Sequence, residues 1–265
     1  MSGINTNVNS INAQRNLAAT ALNLSTAMQR LSSGLRVNSA KDDAAGLAIA
    51  ERMDAQTRGM NVAIRNSNDA ISMAQTAEGA LGAISNNLQR MRELAVQGSN
   101  GSNTGADVTS LDQEFALLVA ENTRIATSTK FNGVAVIAAT KFDFQVGANT
   151  ADQISIQGAT YTGTSTTLGA TSTTANAELA KLDVDIDAVT TLRATWGASQ
   201  NRFDTVIANL RVGAENSAAA HGRIVDADYA QETASLTRAQ VLQQAGTAMV
   251  AQANQGPNGV LALLR

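Results

Sequence analysis

Residues 17–35 read LAATALNLSTAMQRLSSGL, and the pattern in this stretch governs how the rest of the chain is interpreted. Its apolar side chains recur at alternating intervals of four and three residues, at Leu17, Ala21, Leu24, Met28, Leu31 and Leu35. That spacing is typical of a coiled-coil helix. A helix with one narrow apolar face is marginal in water unless something covers that face. The stretch therefore predicts a helix that pairs with a partner, in the same chain or in another molecule.

The three-four spacing continues well beyond this first helix. A second helix is expected over about 44–96, and a third over about 108–127. Helical spacing then returns at Leu182, Ile186, Val189, Leu192, Trp196, Phe203, Ile207 and Leu210. The chain is therefore expected to be mainly α-helical.

The C-terminal region predicts one more amphipathic helix. Its apolar side chains are Leu236, Val241, Leu242, Ala245 and Met249. We expect Gly256-Pro257 to interrupt this helix, because proline breaks helical hydrogen bonding. Beyond that break lie the closing apolar residues Val260, Leu261 and Leu264.

The period of the pattern changes in the middle of the chain. Phe131-Asn132-Gly133-Val134 contains an Asn-Gly turn signal, and apolar residues then alternate with polar ones at Phe142, Phe144, Val146, Ile154 and Ile156. Residues 161–174, rich in Thr, Ser and Gly, are expected to form an exposed loop. The predicted fold class is mainly α, with long antiparallel helices, a terminal coiled-coil pair and a small β-hairpin region in the middle.

Composition narrows the function classes. The net charge of −3 gives no reason to expect nucleic acid or a membrane as a partner. No cysteine is present, so disulfides and thiolate metal sites are excluded. The N-terminus lacks the pattern of a cleaved secretory signal, and no stretch has the apolar length of a transmembrane helix.

No constellation of residues predicts catalysis, a metal site or a cofactor. His221 is the only histidine, and it has no cysteine or second histidine with which to form a typical zinc site. Adjacent carboxylates at Asp42 and Asp43 point in different directions on a helix, so they are expected to cap a helix, form ion pairs near its start or make contacts between subunits. The glycine motifs of nucleotide-binding loops are absent. We therefore expect a protein that is not an enzyme.

Several long segments, in the same order at both ends of the chain, resemble the conserved blocks of bacterial flagellins. In the N-terminal half these are RLSSGLRVNSAKDDAAG at 30–46 and LQRMRELAVQ at 88–97. The C-terminal half carries GASQNRF at 197–203, LTRAQVLQQAG at 236–246, AQANQ at 251–255 and VLALLR at 260–265. The resemblance covers about 1–140 and 178–265. The segment between these halves is short, which suggests a minimal flagellin without large outer domains.

The flagellin resemblance implies a domain plan and a mode of assembly. Residues 1–45 and 220–265 would form an inner coiled-coil domain that lines the filament channel. Residues 46–219 would form an outer rod domain, with strands and a loop at about 131–177. In family members the terminal segments are disordered in the free subunit and fold on assembly. The implied function is the structural subunit of the filament used for swimming motility.

The resemblance also implies partners and a location. The chain would leave the cell unfolded through the flagellar type III export apparatus, aided by an export chaperone, and would reside in the extracellular filament. Its partners there would be further copies of itself, the filament cap and the hook-junction proteins. Arg90, Leu94 and Glu114 match flagellin positions contacted by the vertebrate Toll-like receptor for flagellin. Recognition of the monomer by that receptor is therefore expected.

The residues expected to form the polymerisation core are Leu31, Leu35, Val241, Leu242 and Met249. Three alternatives to a filament subunit are considered. A hook–filament junction protein would share the terminal architecture, a helical binding module would stay monomeric, and an enzyme would need a catalytic constellation. Self-assembly distinguishes the first from the other two, and unlimited growth distinguishes a filament from a junction.

Overall fold

The computed structural model describes the backbone of residues 6–158 and 160–262, and the side chains up to residue 255 within those ranges. The helices are α1 (Val8–Ser33), α2 (Ala44–Gly98), α3 (Gly105–Ser128), α4 (Ser172–Val225) and α5 (Tyr229–Ala262). The strands are β1 (Lys130–Phe131), β2 (Val134–Ala135), β3 (Lys141–Gln145) and β4 (Gln153–Gln157). The predicted fold class, long helices with small hairpins between them, is confirmed.

The chain divides into two compact units. The terminal unit is built from Met1–Ala55 and Asn216–Arg265, and the central unit from Gln56–Glu215. Helices α2 and α4 each contribute residues to both units.

Helices α1 and α5 of the terminal unit pair in antiparallel orientation. Asn7, just before α1, contacts Ala253 near the end of α5, and Arg30 near the end of α1 contacts Glu232 near the start of α5. The least exposed residues of α1 recur at three-four spacing, at Ser10, Ala13, Leu17, Thr20, Leu24, Ala27 and Leu31. On α5 they are Glu232, Ser235, Leu236, Ala239, Gln243, Gly246, Val250 and Ala253. The predicted terminal coiled-coil pair is therefore present.

The predicted apolar face of α1 is only partly right. Leu17, Leu24 and Leu31 are half-buried, as expected, but Ala21 is exposed and Met28 is 51% exposed. Small residues replace them on the inner face, where Ala27 is only 4% exposed. Small side chains allow a close approach of the two helices, whereas the longer Met28 remains outside the contact.

The linkers that join α1 to α2 and α4 to α5 are hydrogen-bonded to each other. Gly34 ends α1 in the left-handed region, with a φ of 73°, and its N–H donates to the Arg30 carbonyl. Leu35 then forms an isolated antiparallel bridge with Asp226. The backbone N–H of Arg36 donates to the Val225 carbonyl at 2.7 Å.

The central unit has a core made from α2, α3 and α4. The predicted apolar residues of α2 are all buried, at Leu81, Ile84, Leu88, Met91 and Ala95. Buried residues of α4 recur every seven positions, at Leu182, Val189, Trp196 and Phe203. A repeat of seven residues keeps one face of a long helix against its neighbours.

Two antiparallel hairpins lie where the period-two pattern predicts them. β1 and β2 flank the Asn132-Gly133 turn, where both residues have positive φ. β3 pairs with β4, with Phe144 opposite Ile154. Phe144 packs edge-on against Phe203 of α4 at a centroid distance of 5.6 Å. One face of this hairpin therefore belongs to the core of the central unit.

The expected exposed loop at 161–174 is right in part, because residues 161–171 form neither helix nor strand and more than half of the segment is exposed, but two of its residues are buried. Leu168 is fully buried and Ser165 is only 2% exposed, and α4 already begins at Ser172. The physical reason is a set of carboxylates that accept hydrogen bonds from this segment. Asp185 accepts from the backbone N–H of Thr164 and Ser165, at 2.9 and 3.1 Å.

The expected break at Gly256-Pro257 is also wrong, because α5 runs through it to Ala262. The missing N–H of Pro257 leaves one helical carbonyl without its usual donor, and a side chain from the N-terminal segment supplies a replacement. The side chains of Val260 and Leu261, and all of Leu264, lie outside the described residues. Over the described residues, no helix is apolar enough over a sufficient length to cross a membrane.

Candidate assembly surface

Three large apolar side chains of α5 are more than half exposed. Val241 is 60% exposed, Leu242 is 51% exposed and Met249 is 63% exposed. The inner face of α5 instead combines small residues such as Ala239 and Gly246 with the half-buried Leu236 and Val250. Burial within one chain therefore does not account for these three residues, which were expected to lie in the polymerisation core.

Helix α1 carries a second apolar stripe that the sequence analysis missed. Val8 is 68% exposed, Ile11 is 57% exposed and Leu22 is 71% exposed. Positions 8, 11, 15, 18 and 22 also follow three-four spacing, about half a turn away from the inner face. The signal was therefore present in the sequence, but it is interrupted by Arg15 and was masked by the stronger leucine pattern.

A groove runs along one side of the α1–α5 pair. Its volume is ≈ 630 Å³, and its lining includes Asn9, Asn12 and Asn16 from α1, with Leu242 and Met249 from α5. The groove thus has an amide-rich wall and an apolar wall. Such a surface can bury apolar side chains of a partner while its amides hydrogen-bond polar ones.

A second groove of ≈ 310 Å³ adjoins the first, since Thr20 and Leu242 line both. It extends to Arg30 and Glu232, whose side chains form an ion pair at 3.1 Å. Together they make a continuous concave surface along the terminal helices. We name this surface the terminal groove, lined between Asn9 and Arg30 on α1 and between Gln231 and Ala253 on α5.

Leu31 and Leu35, the other two residues expected in the polymerisation core, are half-buried within the terminal unit. Leu31 lies on the inner face of α1, and the backbone of Leu35 bridges to Asp226. Their first role is therefore to pack and connect the terminal unit. The outward residues Val241, Leu242 and Met249 offer more surface to a neighbouring molecule.

Arg90 and Glu114, two of the three residues expected to contact an immune receptor, are joined directly. Arg90 Nε donates to Glu114 at 2.8 Å, and an Arg90 guanidinium nitrogen donates to Glu93 at 2.9 Å. These hydrogen bonds raise the pKa of Arg90, that to Glu114 contributing most. Leu94 differs, because its side chain is only 1% exposed and packs in the core. A surface contact at this place therefore rests on Arg90 and Glu114, with Leu94 supporting α2 from beneath.

The acidic pair near α2 has the structural role that the sequence suggested. Asp43 accepts a hydrogen bond from the backbone N–H of Gly46 at 2.8 Å, within the first turn of α2. Asp42 accepts from Ser39 and Asn38, and these hydrogen bonds lower its pKa. His221 lies half-buried on α4. Within the described residues, no group of three or more potential side-chain metal ligands is found.

Comparisons with known proteins agree on one family. The model of the bacterial flagellin N-terminal helical region matches residues 4–141, and that of the flagellin C-terminal helical region matches residues 179–264. A flagellin of Halalkalibacterium halodurans is 45% identical over 270 residues, covering 99% of both chains. The flagellar filament 33 kDa core protein of Treponema phagedenis is 39% identical over 285 residues, again covering 99% of both.

A solved structure is similar as well. The crystal structure of Bacillus cereus flagellin matches with a TM-score of 0.52 and 37% identity, covering 55% of this chain and 88% of that one. Both terminal helical regions, the near-complete coverage of the relatives and this structure agree. The chain therefore belongs to the bacterial flagellin family, whose members are structural subunits of the flagellar filament.

Proposed function

We propose that this chain polymerises into a flagellar filament for swimming motility, through the outward face of its terminal unit. The observation that carries the proposal is the exposure of Val241, Leu242 and Met249 on α5, beside the terminal groove. Large apolar side chains on a narrow helical pair are costly in water and favour burial against a neighbour. Identical subunits whose contacts do not close on themselves form an open helical filament.

Assembly in this proposal is coupled folding and binding. Among the described apolar side chains of α1 and α5, only Ala27 and Ala239 are buried, so the order of these helices in the free chain is expected to be marginal. Burying their outward faces in a filament offsets the conformational entropy lost on ordering them. The rod-like role of 46–219 and the channel-lining role of 1–45 and 220–265 belong to the same proposal.

The experiment is seeded growth followed by electron microscopy. Purified chain is heated to monomer, cooled and mixed with short filament fragments, and long filaments are the expected product. Short, self-limiting assemblies would favour a hook-junction protein instead. Monomer that persists across salt and seeding conditions would contradict the proposal and favour a binding module.

A charge placed on the outward face tests the surface itself. Leu242→Asp should abolish growth, because a carboxylate would be buried against the neighbouring subunit. Gln240→Asp adds the same charge at an exposed position about 200° round the helix from Leu242, and it serves as the control. Normal filaments from Leu242→Asp, or an equal loss of filament growth in both variants, would show that the terminal groove is not the assembly surface.

Export and location are proposed together with assembly. The chain would leave the cell through the flagellar export apparatus, carried there by a chaperone that covers the apolar stretch between Leu236 and Ala253. It would then lie in the extracellular filament, between the hook-junction proteins and the filament cap. Truncation after Asp228 should abolish chaperone binding, measured by co-purification.

The monomer is also proposed to be a ligand of the vertebrate Toll-like receptor for flagellin. The supporting observation is the exposed Arg90–Glu114 pair, which offers a charged, hydrogen-bonded surface on α2 and α3. Arg90→Ala should weaken activation of receptor-bearing cells, while Arg124→Ala, which breaks a separate ion pair with Glu121, should not. Full activation by the Arg90→Ala monomer would contradict the proposal.

A further inference from the structure

The only proline of the chain lies inside a helix. Pro257 is preceded and followed by helical backbone, since α5 extends from Tyr229 to Ala262. In an α-helix each backbone N–H donates to the carbonyl four residues earlier, and proline has no N–H. The carbonyl of Ala253 therefore lacks its helical donor.

A side chain from the other end of the chain supplies that donor. The Asn7 side-chain amide donates from Nδ2 to the carbonyl oxygen of Ala253 at 2.7 Å. The oxygen of the same amide accepts from the backbone N–H of Ser10 at 3.1 Å and so caps α1. One amide therefore satisfies an open donor on α1 and an open acceptor on α5.

The next residues continue this contact. Ser10 is 5% exposed, and its hydroxyl donates to the Asn254 side-chain oxygen at 2.7 Å. Further along, the inner faces present mostly apolar residues, such as Ala13, Leu17 and Ala27 on α1 and Gly246 and Val250 on α5. An apolar face that repeats every three or four positions specifies the register of two helices weakly, whereas a single paired polar group specifies it strongly.

We propose that Asn7 is a positioning residue that replaces the hydrogen bond Pro257 cannot make, and so fixes where the start of α1 lies on α5. The proposal concerns one chain and does not depend on filament growth. It also gives the helical proline a purpose, because a residue with an N–H at position 257 would already satisfy the Ala253 carbonyl.

A double-mutant cycle separates this role from simple capping. Asn7→Asp keeps an oxygen to accept from the Ser10 N–H but removes the donor to Ala253. Pro257→Ala restores the helical N–H, so that Ala253 no longer needs Asn7. Asn9→Asp adds the same charge two residues on, at an exposed position, and controls for electrostatic effects.

The test uses the full-length chain with its terminal helices held together independently of assembly. A Cβ on Gly246 would lie 3.8 Å from the Cβ of Leu17, which is the usual separation in a disulfide. The Leu17→Cys/Gly246→Cys chain, oxidised, serves as the background, and hydrogen exchange is followed by mass spectrometry in the segment 6–16.

A hydrogen bond between neutral groups corresponds to about a fivefold change in an opening equilibrium. Asn7→Asp is expected to reduce exchange protection by about fivefold or more when Pro257 is present, and by less than about twofold in the Pro257→Ala background. Equal losses of exchange protection in the two backgrounds would mean that Asn7 acts only as a helix cap. No loss in either background, or a matching loss from Asn9→Asp, would equally overturn the proposal.

Discussion

Gly98, the last residue of α2, lies so close to Leu168 that a Cβ on it would come within 3.0 Å of the Leu168 Cδ2 atom. The same Cβ would lie 3.2 Å from the Cβ of Ala175. Leu168 and Ala175 are both fully buried, so neither can easily move away. Glycine at this position thus permits α2, the 161–171 segment and the start of α4 to pack closely.

Three other helical glycines have no such neighbour and serve as matched controls. A Cβ on Gly79, Gly82 or Gly197 would meet no atom within 4 Å. Each change to alanine should raise the free energy of unfolding by about 0.5–1 kcal/mol, because alanine loses less backbone entropy in a helix. Gly98→Ala should instead lower it by about 1–3 kcal/mol through overpacking. Thermal unfolding followed by circular dichroism measures both, and a stabilised Gly98→Ala would contradict the packing argument.

Arg90 and Leu94, four residues apart on α2, should respond differently to truncation. Leu94 is 1% exposed, so Leu94→Ala is expected to cost about 2–5 kcal/mol of unfolding free energy through cavity formation. Arg90→Ala should change stability little, since both partners of the Arg90–Glu114 pair are close to half exposed. Chemical denaturation of the two variants makes the comparison. A large loss of unfolding free energy in Arg90→Ala would mean that weaker receptor activation by this variant could result from unfolding instead of from a lost contact.

Helix existence and the central core could be predicted from the spacing of apolar residues alone. The large apolar side chains of α2 between Leu81 and Met91 all lie on one face of the helix, so the sequence predicts that this face is buried. The terminal helices differ, because α1 carries two stripes, one with Leu17 and one with Leu22, and alanine fits either face. Periodicity therefore predicted the helix correctly but placed Ala21 and Met28 on the wrong side.

The burial of Ser165 and Leu168 and the unbroken helix at Pro257, neither of which was expected, share one physical cause. Both segments have unfavourable local sequence, and both are held by hydrogen bonds from residues distant in the chain. Asp185 lies about twenty residues from Thr164, and Asn7 lies at the opposite end of the sequence from Ala253. Local propensity carries no information about such partners.

The Asp185 carboxylate should be essential to the order of the 161–171 segment. It is 2% exposed and accepts from the Thr164 N–H, the Ser165 N–H and the Thr164 hydroxyl. Asp185→Ala leaves these donors without an acceptor and should cost about 3 kcal/mol or more of unfolding free energy. Limited proteolysis should then cut the segment faster. Asp183→Ala, which removes an exposed carboxylate paired with Arg92, is the control and should not alter cleavage.

Tyr161 should titrate later than an exposed tyrosine. Burial, with a further effect from Asp185, raises its pKa to about 12. The neutral phenol is favoured in the fold, so its contribution to stability is complete below pH of about 10 and is lost as the pH rises through about 12. The chain has two tyrosines, so phenolate absorbance in the Tyr229→Phe variant reports Tyr161 alone. A midpoint near 10 would show that the phenol is hydrated.

Locking α1 to α5 should make assembly easier. The oxidised Leu17→Cys/Gly246→Cys chain closes a loop of more than 200 residues, which restricts the unfolded state by roughly 5 kcal/mol in the chain-entropy model. Ordering of the terminal helices is then largely complete before a subunit joins, so seeded growth should begin at a lower concentration than in the reduced chain. The protein has no other cysteine, so each single variant is a control that cannot form the intrachain bond. Growth that is slower when oxidised, and restored by a reductant, would mean that the two helices must separate or shift register during incorporation.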